Sequence, residues 1–308
     1  MTLKTMAIKS MHNKNFCNLN AKNTLKEFLK EELLLSNKAI KTSYISKNAL
    51  QSSLKEKGEL YLPHDLLNRS LVNPIYHGPE IEVIEENDIF IVVNKPHGIH
   101  GHPMDYSETN TVLNFMRKRF NLSSLGKKGG DYEKGLLYRL DQLTSGVLIY
   151  IKDELIHQNL RDSFGQIAKE KTYLAIVNGK VEEELKLEDR LISSGVKGEK
   201  MIISEAGSEA CLKLRPLYYH ESKDLSLVEV SLYEGHRHQI RVQLSNAGFP
   251  IVGDPIYNDN YQSGDKRLYL HAYQYCLEVN GHLSCFKAKT ADLFCDLLDL
   301  NSLVDVAS

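Results

Sequence analysis

The chain of 308 residues contains little of what marks membrane, secreted or metal-ribbon proteins. It has no run of about 20 apolar residues, the length that a membrane helix requires, and no apolar signal core near its N-terminus. Its five cysteines are an odd number without a C-x2-C pair, so neither a disulfide framework nor a zinc ribbon is expected. We therefore predict a cytoplasmic protein in a reducing compartment, without a membrane partner.

Several catalytic signatures are also missing. The sequence contains no H-E-x-x-H, no G-x-S-x-G and no G-x4-G-K-[ST] motif. These absences argue against a zinc protease, a serine hydrolase of the nucleophile-elbow type and a P-loop ATPase. The chain also has no internal repeat at a fixed period, so a repeat architecture is not expected.

Arginine is absent from residues 1–60, but this segment is rich in lysine. It contains 11 Lys and 5 Glu, a net charge of +6, while the whole chain carries −2, so the other 248 residues carry −8. The basic surplus at the front favours contact with a polyanion. The remainder needs a local basic surface if it is to bind nucleic acid.

The hydrophobic pattern divides the chain into three parts. Residues 1–23 are predicted as a loose tail. Residues 24–78 are predicted as a small N-terminal domain that begins with an amphipathic helix in TLKEFLKEELLLS. Proline-rich breaks and the segment YHGPEIE then mark a boundary, and residues 79–308 form the main domain.

Helices and strands interleave in the main domain without a βαβ rhythm. Two β-rich runs flank the turn EEND, and GLLYRLDQLTSGVLIYIK is typical of strand, turn and strand. HRHQIRVQLSNAG predicts a short helix that Gly248 closes. The sequence therefore predicts an α+β fold, with a mixed, largely antiparallel sheet flanked by helices.

The segment YRLDQLTSG contains the most informative charged residues. On an extended strand Arg139 and Asp141 share a face, and the Thr144–Gly146 stretch suits a sharp turn at the lip of a sheet. Asp141 is then either a catalytic carboxylate or a turn residue beside a solvated arginine. Composition alone favours the turn residue.

Four further segments follow the order found in one enzyme family. NKPHGIHGHP, KTYLAIVNG, GHRHQIRVQLSNAGFPIVGDPIY and LYLHAYQYCLEV, together with YRLDQLTSG, resemble the motifs of the RluA-type RNA pseudouridine synthases. The resemblance covers about residues 79–290. It implies the pseudouridine synthase fold and a cofactor-free isomerisation of uridine in structured RNA, ribosomal RNA more readily than transfer RNA. By the same analogy, residues 24–78 loosely resemble a degenerate S4-like RNA-binding domain.

The resemblance also implies roles for individual residues. Asp141 is the catalytic carboxylate, Arg241 is its ion-pair partner, and Tyr173 stacks on the uracil or takes its C5 proton. Arg139 assists the extrusion of the nucleotide from its stack. The residues expected to bind substrate are Arg139, Lys95, Thr144, His238 and Gln239, and we expect a monomer that needs no protein partner and binds no metal.

Two positions depart from the family pattern. Tyr138 stands where the family has His, which changes the packing behind the strand. His236 stands where the family has Arg, which removes a basic group that meets phosphate in the relatives. On the predicted helix Arg237 and Arg241 are four residues apart on one face, and without the resemblance Arg241 reads more simply as a surface arginine.

Two alternative functions compete with the isomerase. His97, His100 and His102, with Asp105, have a spacing that allows a divalent metal site and hence a metal-dependent hydrolase. The other alternative is a catalytically silent RNA-binding module. The intact R-L-D and H-Q-I-R segments argue against the silent module.

Overall fold

The structure is a computed structural model, and it describes most of the main domain and parts of the N-terminal region. The described residues are 5–10, 18–20, 24–31, 35, 37–41, 45–53, 59–62, 75–104, 108–120, 135–163, 167–195, 200–262, 267–279, 281–289 and 292–300.

The N-terminal region contains a small sheet and three short helices. Its strands are β1 (Thr5–Ser10), β2 (Asn18–Asn20) and β3 (Glu59–Leu62), and its helices are α1 (Leu25–Glu31), α2 (Asn37–Lys41) and α3 (Lys47–Gln51). β1 pairs with β2 in antiparallel and with β3 in parallel orientation. The prediction of a loose tail is therefore wrong where β1 and β2 lie, because their backbones pair within a sheet.

Helix α1 confirms the predicted amphipathic helix over the part that the structure describes. Thr24 and Glu27 cap its start reciprocally, since each side chain accepts the other residue's backbone N–H. Leu25, Phe28 and Leu29 are buried. The last residues of the predicted segment lie outside the described residues, and the S4-like character of this region stays a prediction.

A ten-stranded sheet forms the main domain. Its strands follow the order β4-β5-β6-β12-β7-β11-β10-β8-β9, and β13 pairs with β12. In this sheet β6 and β12 run parallel, whereas the other described neighbours are antiparallel. The predicted mixed, largely antiparallel sheet is confirmed. The strands are β4 (Glu82–Glu86), β5 (Phe90–Lys95), β6 (Ser145–Ile151), β7 (Ala168–Asn178), β8 (Leu185–Ser194), β9 (Lys200–Ile203), β10 (Ser208–His220), β11 (Leu225–Leu232), β12 (Leu270–Val279) and β13 (His282–Lys287).

Strand β6 lies at the centre of the core, because both of its faces are covered. Its residues are all buried. Val147 and Ile149 belong to the larger apolar cluster, whereas Leu148 and Tyr150 belong to a second cluster that includes one face of helix α4. The helices of this domain are α4 (Val112–Arg119), α5 (Glu154–Asp162), α6 (Gln239–Asn246) and α7 (Asp292–Leu297).

Two local predictions in this domain are wrong. Residues 136–140 form no strand and make one isolated bridge, between Leu136 and Tyr150, so alternation along a strand does not orient Arg139 and Asp141. Helix α6 begins at Gln239, so Arg237 precedes it and does not share a helix face with Arg241. In both places tertiary contacts replace the local repeat that the sequence suggested.

The cysteines also differ from expectation. Cys276 and Cys285 form a disulfide, with Cα atoms 4.0 Å apart, because they stand directly opposite each other in the β12–β13 hairpin. The spacing of nine residues does not belong to a familiar cysteine motif, so this pair could not be predicted from the sequence. Among the described helices, none has the length and apolar character needed to cross a membrane.

Candidate active site

Asp141 lies in a tight turn that leads directly into β6. Its carbonyl accepts the backbone N–H of Thr144 at 3.1 Å. Gly146 follows with φ +114°, and a Cβ at this position would lie 2.2 Å from the carbonyl oxygen of Ala272. The turn therefore needs glycine here, since β12 runs against its backbone. This close approach fixes where the Asp141 turn meets the sheet.

Lys95 supports this turn from beneath. Its side chain is fully buried, and its Nζ donates to the carbonyl oxygens of Pro96, Ile99 and Gln142. Burial lowers the pKa of Lys95 to about 7, against a smaller opposite effect of the Asp141 charge. Lys95 was predicted to bind substrate, and in this structure it connects the N-K-P loop with the turn that contains Asp141.

Arg241 lies on helix α6 and contacts two aspartates, Asp254 and the Asp141 of the turn before β6. Its Nε and Nη2 donate to the two carboxylate oxygens of Asp254, each at 2.7 Å, and its Nη1 donates to Oδ2 of Asp141 at 3.2 Å. Arg241 is 2% exposed and Asp254 is 0% exposed. Burial disfavours the charged guanidinium, but Asp254 and then Asp141 outweigh it and raise the pKa of Arg241.

The two carboxylates are held very differently. Oδ1 of Asp254 also accepts the backbone N–H groups of Ile256 and Tyr257, so four protein donors hold this carboxylate. The side chain of Asp141 is 24% exposed, and Arg241 contacts it through one nitrogen. Asp141 thus keeps carboxylate surface for a ligand, while its direction is set by the guanidinium.

His238 lies close to the same carboxylate. Its Nε2 is 3.8 Å from Oδ2 of Asp141, and its Nδ1 is 3.0 Å from the hydroxyl of Tyr257. Burial lowers the pKa of His238, Asp141 opposes this shift, and Arg241 and Arg237 add to it. His238 therefore faces Asp141 as a neutral ring at neutral pH.

Tyr173 lies on β7, two strands from β6 and across β12. It is 5% exposed, and its hydroxyl is 2.5 Å from that of Tyr275 on β12. Burial raises the pKa of Tyr173, a hydrogen bond from Tyr275 lowers it, and the negative charge of Asp141 adds to the rise. Tyr173 is therefore a neutral phenol within the electrostatic reach of Asp141.

The other predicted substrate-binding residues divide into exposed and buried ones. Arg139 is exposed two residues before Asp141, where it can meet a polyanion. Thr144 is buried in the turn. Gln239 is also buried, and its amide contacts the backbone of His236 and Cys211 and the carboxylate of Glu234. Its contacts therefore hold the start of α6 against β10.

The histidines of the alternative metal site are not gathered around one point. His97 contacts the carbonyl of Leu143, and His100 contacts Glu108 at 2.5 Å. His102 is buried, while Asp105 lies outside the described residues. Across the part of the chain that is described, no three His, Cys, Asp or Glu side chains are placed to hold a metal ion.

Sequence reasoning missed three residues of this site, Asp254, Tyr257 and Tyr275. The signal for Asp254 is present in GFPIVGDPIY, but the resemblance gave roles only to His238, Gln239 and Arg241 of that block. Tyr257 lies under the guanidinium of Arg241, 5.3 Å from its carbon to the ring centroid. Tyr275 carries no comparable signal, because its place depends on strand register.

Comparison with known proteins agrees with this fold. The model of the family described as RNA pseudouridylate synthase matches residues 89–246, about half of the chain. The matched segment runs from β5 through α6 and includes Asp141, Tyr173 and Arg241. The chain therefore belongs to the RNA pseudouridylate synthase family.

Individual relatives are more distant and only partly covered. The chain is 30% identical over 189 residues to an RNA pseudouridine synthase of Aquifex aeolicus, a match of 61% of this chain and 59% of the relative. It is 31% identical to the ribosomal large subunit pseudouridine synthase D of Zymomonas mobilis, over 66% of this chain and 65% of the relative. These matches span less than two thirds of either relative.

A solved structure shares the fold. The human RNA pseudouridylate synthase domain containing 1 superposes with a TM-score of 0.59 at 20% identity, over 73% of this chain and 92% of that chain. At this identity the likeness supports the fold alone.

Proposed function

We propose that this protein isomerises uridine to pseudouridine in structured RNA, with ribosomal RNA as the favoured substrate. The observation that supports it best is the partly exposed Asp141 carboxylate, directed by an arginine that a buried second carboxylate holds in place. The reaction needs such a group, because a nucleophile or base must meet the ribose beside a held pyrimidine. Family membership gives this arrangement its substrate class.

The isomerisation breaks one bond, forms another and moves one proton. In the proposed sequence the Asp141 carboxylate acts at the sugar, the N1–C1′ bond breaks, and the uracil turns so that C5 bonds to C1′. The proton at C5 then leaves, and N1 gains a proton. The product has the same atoms as the substrate, so the step requires no oxidant or reductant.

Charge and burial distribute the work among the neighbouring residues. Arg241 keeps Asp141 ionised and directed, since a guanidinium favours the charged carboxylate. Tyr173 offers the edge of a buried phenol to the base. The exposed Arg139 contacts the phosphate backbone or lies near the space that the extruded nucleotide leaves.

The choice of RNA rests on two supports of unequal strength. One similar relative is named as a ribosomal large subunit enzyme, at 31% identity. The physical argument is that extrusion of a nucleotide costs a few kcal/mol, and loops of structured RNA reduce this cost. The first favours ribosomal RNA, and the second favours a uridine in a loop over one inside a long helix.

The decisive experiment maps pseudouridines in total RNA from cells with and without this protein. Purified wild-type protein is then incubated with the unmodified RNA, beside the matched variant Asp141→Asn. We expect loss of one or a few specific pseudouridines in the deleted cells, and their restoration in vitro by the wild type alone. Identical maps, with no activity on any RNA from those cells, contradict the proposal. A site in transfer RNA contradicts the substrate choice and leaves the reaction intact.

A further inference from the structure

Strand β12 contains a bulge that changes which of its side chains share a face of the sheet with Tyr173. Ala272 stands opposite Tyr173 of β7, while Tyr275 stands opposite Lys171. Three steps along β12 thus match two steps along β7, and the register shifts between Ala272 and Gln274. Because side chains alternate along a strand, a regular β12 would place Tyr275 on the face opposite to Ala272. The extra residue brings Tyr275 to the face of Tyr173.

The consequence is a buried pair of tyrosine hydroxyl groups. The Oη atoms of Tyr173 and Tyr275 are 2.5 Å apart, and the two rings meet edge to face with their centroids 6.1 Å apart. Tyr275 is 3% exposed, so its hydroxyl has little access to water. A buried hydroxyl needs a partner, and Tyr173 provides it.

A third tyrosine holds Tyr275 from the other side. The ring of Tyr138 stacks on that of Tyr275, with centroids 4.3 Å apart and planes 5° from parallel. The hydroxyl of Tyr138 donates to the carbonyl of Val147 at 2.9 Å, which ties its ring to β6. Tyr138 stands three residues before Asp141, so this stack connects the catalytic turn with Tyr173. It also gives a physical reason for tyrosine where the relatives' pattern has histidine.

We propose that Tyr275 is a positioning residue that acts through Tyr173, and that Tyr138 holds it in place. This inference rests on the function proposed above. The hydrogen bond restricts the rotation of the Tyr173 hydroxyl, and which tyrosine donates decides whether its proton or only its lone pairs face the uracil. Phenylalanine at position 275 keeps the ring and its stacking on Tyr138 but releases that hydroxyl.

Burial is the largest cause of the raised pKa of both Tyr173 and Tyr275. Both groups are therefore protonated at neutral pH, and the pair holds two protons. One proton lies in the hydrogen bond between the oxygen atoms. The other is directed away from the pair, and where it points depends on which residue donates. Tyr275 thus affects how the Tyr173 hydroxyl is presented to the base, although Tyr275 does not itself contact the base.

The test is a double-mutant cycle with Tyr275→Phe, Tyr173→Phe and the double variant. The measurements are single-turnover pseudouridine formation and RNA affinity, on an RNA that the wild type modifies. We expect Tyr275→Phe to slow the reaction about five- to tenfold, as for the loss of one hydrogen bond in the transition state, with affinity changed less than about twofold. In the Tyr173→Phe background the second substitution has no further effect, because its partner hydroxyl is already gone.

Tyr150→Phe is the matched control. It removes another buried tyrosine hydroxyl, which donates to the carbonyl of Gly101 at 2.7 Å, away from the proposed chain of contacts. We expect it to lower thermal stability and to leave the rate of pseudouridine formation at the wild-type value. If Tyr150→Phe slows the reaction as much as Tyr275→Phe, general loosening explains both results and the proposal is overturned.

Other outcomes are equally clear. A wild-type rate in Tyr275→Phe, or an equal slowing with and without the Tyr173 hydroxyl, overturns the proposal. If Tyr275→Phe does not fold, Tyr138→Leu replaces it, since this variant removes the stacked ring and retains the hydroxyl pair. It should slow the reaction in the wild-type background but not beside Tyr173→Phe, and equal slowing in both overturns the proposal. A wild type that forms no pseudouridine contradicts the proposed function instead.

Discussion

Two aspartates contact the guanidinium of Arg241. Asp254 lies on the buried side of the site, here called the floor, and Asp141 lies on the exposed side, here called the rim. The two carboxylates differ in burial and in their other hydrogen-bond partners. Asp254 on the floor has no exposed surface, two charged hydrogen bonds and two backbone donors. Asp141 on the rim is partly exposed and has one contact with Arg241 at 3.2 Å. A buried carboxylate held by four protein donors stabilises the fold, whereas one with exposed surface can meet a ligand. A single arginine therefore contacts one carboxylate enclosed within the protein and one that remains open to a ligand.

The largest effect is expected from Asp141→Asn, which removes the reactive charge and keeps the size of the side chain. Pseudouridine formation should fall by about a thousandfold or more, as for the loss of an essential nucleophile or base. Thermal unfolding should change little, because this side chain is partly hydrated. Single-turnover assays and melting curves on one preparation check both parts. Turnover near that of the wild type would remove Asp141 from the reaction.

Asp254→Asn, unlike Asp141→Asn, should lower the stability of the protein as well as its activity. Breaking a buried ion pair by removing one partner costs about 3–5 kcal/mol. In this variant the buried guanidinium keeps only its single contact with the partly exposed Asp141. Denaturant unfolding should therefore show a large loss of stability, well beyond that of Asp141→Asn. Activity should also fall, since Arg241 loses the group that orients it. Equal stability of the two variants would contradict the distinction between floor and rim.

Arg241→Lys sharpens the comparison, because it affects both carboxylates at once. Lysine keeps the charge but cannot donate to Asp254 through two nitrogens while also reaching Asp141. We expect the rate to fall about tenfold or more, because small misplacement of a reacting group is costly. Replacing an exposed surface arginine would leave the stability unchanged. Arg241 is buried, so the melting temperature of the variant should also drop. Rates and melting curves for Arg241→Lys and Arg241→Met measure both effects.

The smallest effect is expected at His238, which touches Asp141 without forming a close ion pair. His238→Asn should slow the reaction about two- to fivefold, within the range of one lost neutral contact. The pKa of His238 is lowered in the folded protein, so its ring is neutral across pH 7–8 and gains a proton only at lower pH than an ordinary histidine. The rate profile over pH 7–8 should therefore keep its shape in the variant. A titration step that disappears with His238 would show that its charge takes part.

Much of the architecture could be predicted because its signals are local. The hairpin of β4 and β5, the start of α1 and the closure of α6 at Gly248 follow from turn residues, caps and apolar spacing. Gly248 has φ +88°, the left-handed conformation expected after a helix. The strand proposed over residues 136–140 failed, because its apolar side chains pack into the core without a ladder partner beyond one bridge.

The sequence by itself determined the family, since the order of the motifs is written in it together with Asp141, Tyr173 and Arg241, the proposed catalytic residues. Only the tertiary structure decided how these residues meet. Asp141 and Arg241 are 100 positions apart, and their contact depends on the placement of α6 beside the turn before β6. Asp254 became the anchor of that arginine, and Lys95 a buried support, because burial decides whether a charge is used inside the protein or offered to a ligand. Strand register is equally non-local, and a single bulge placed Tyr275 beside Tyr173.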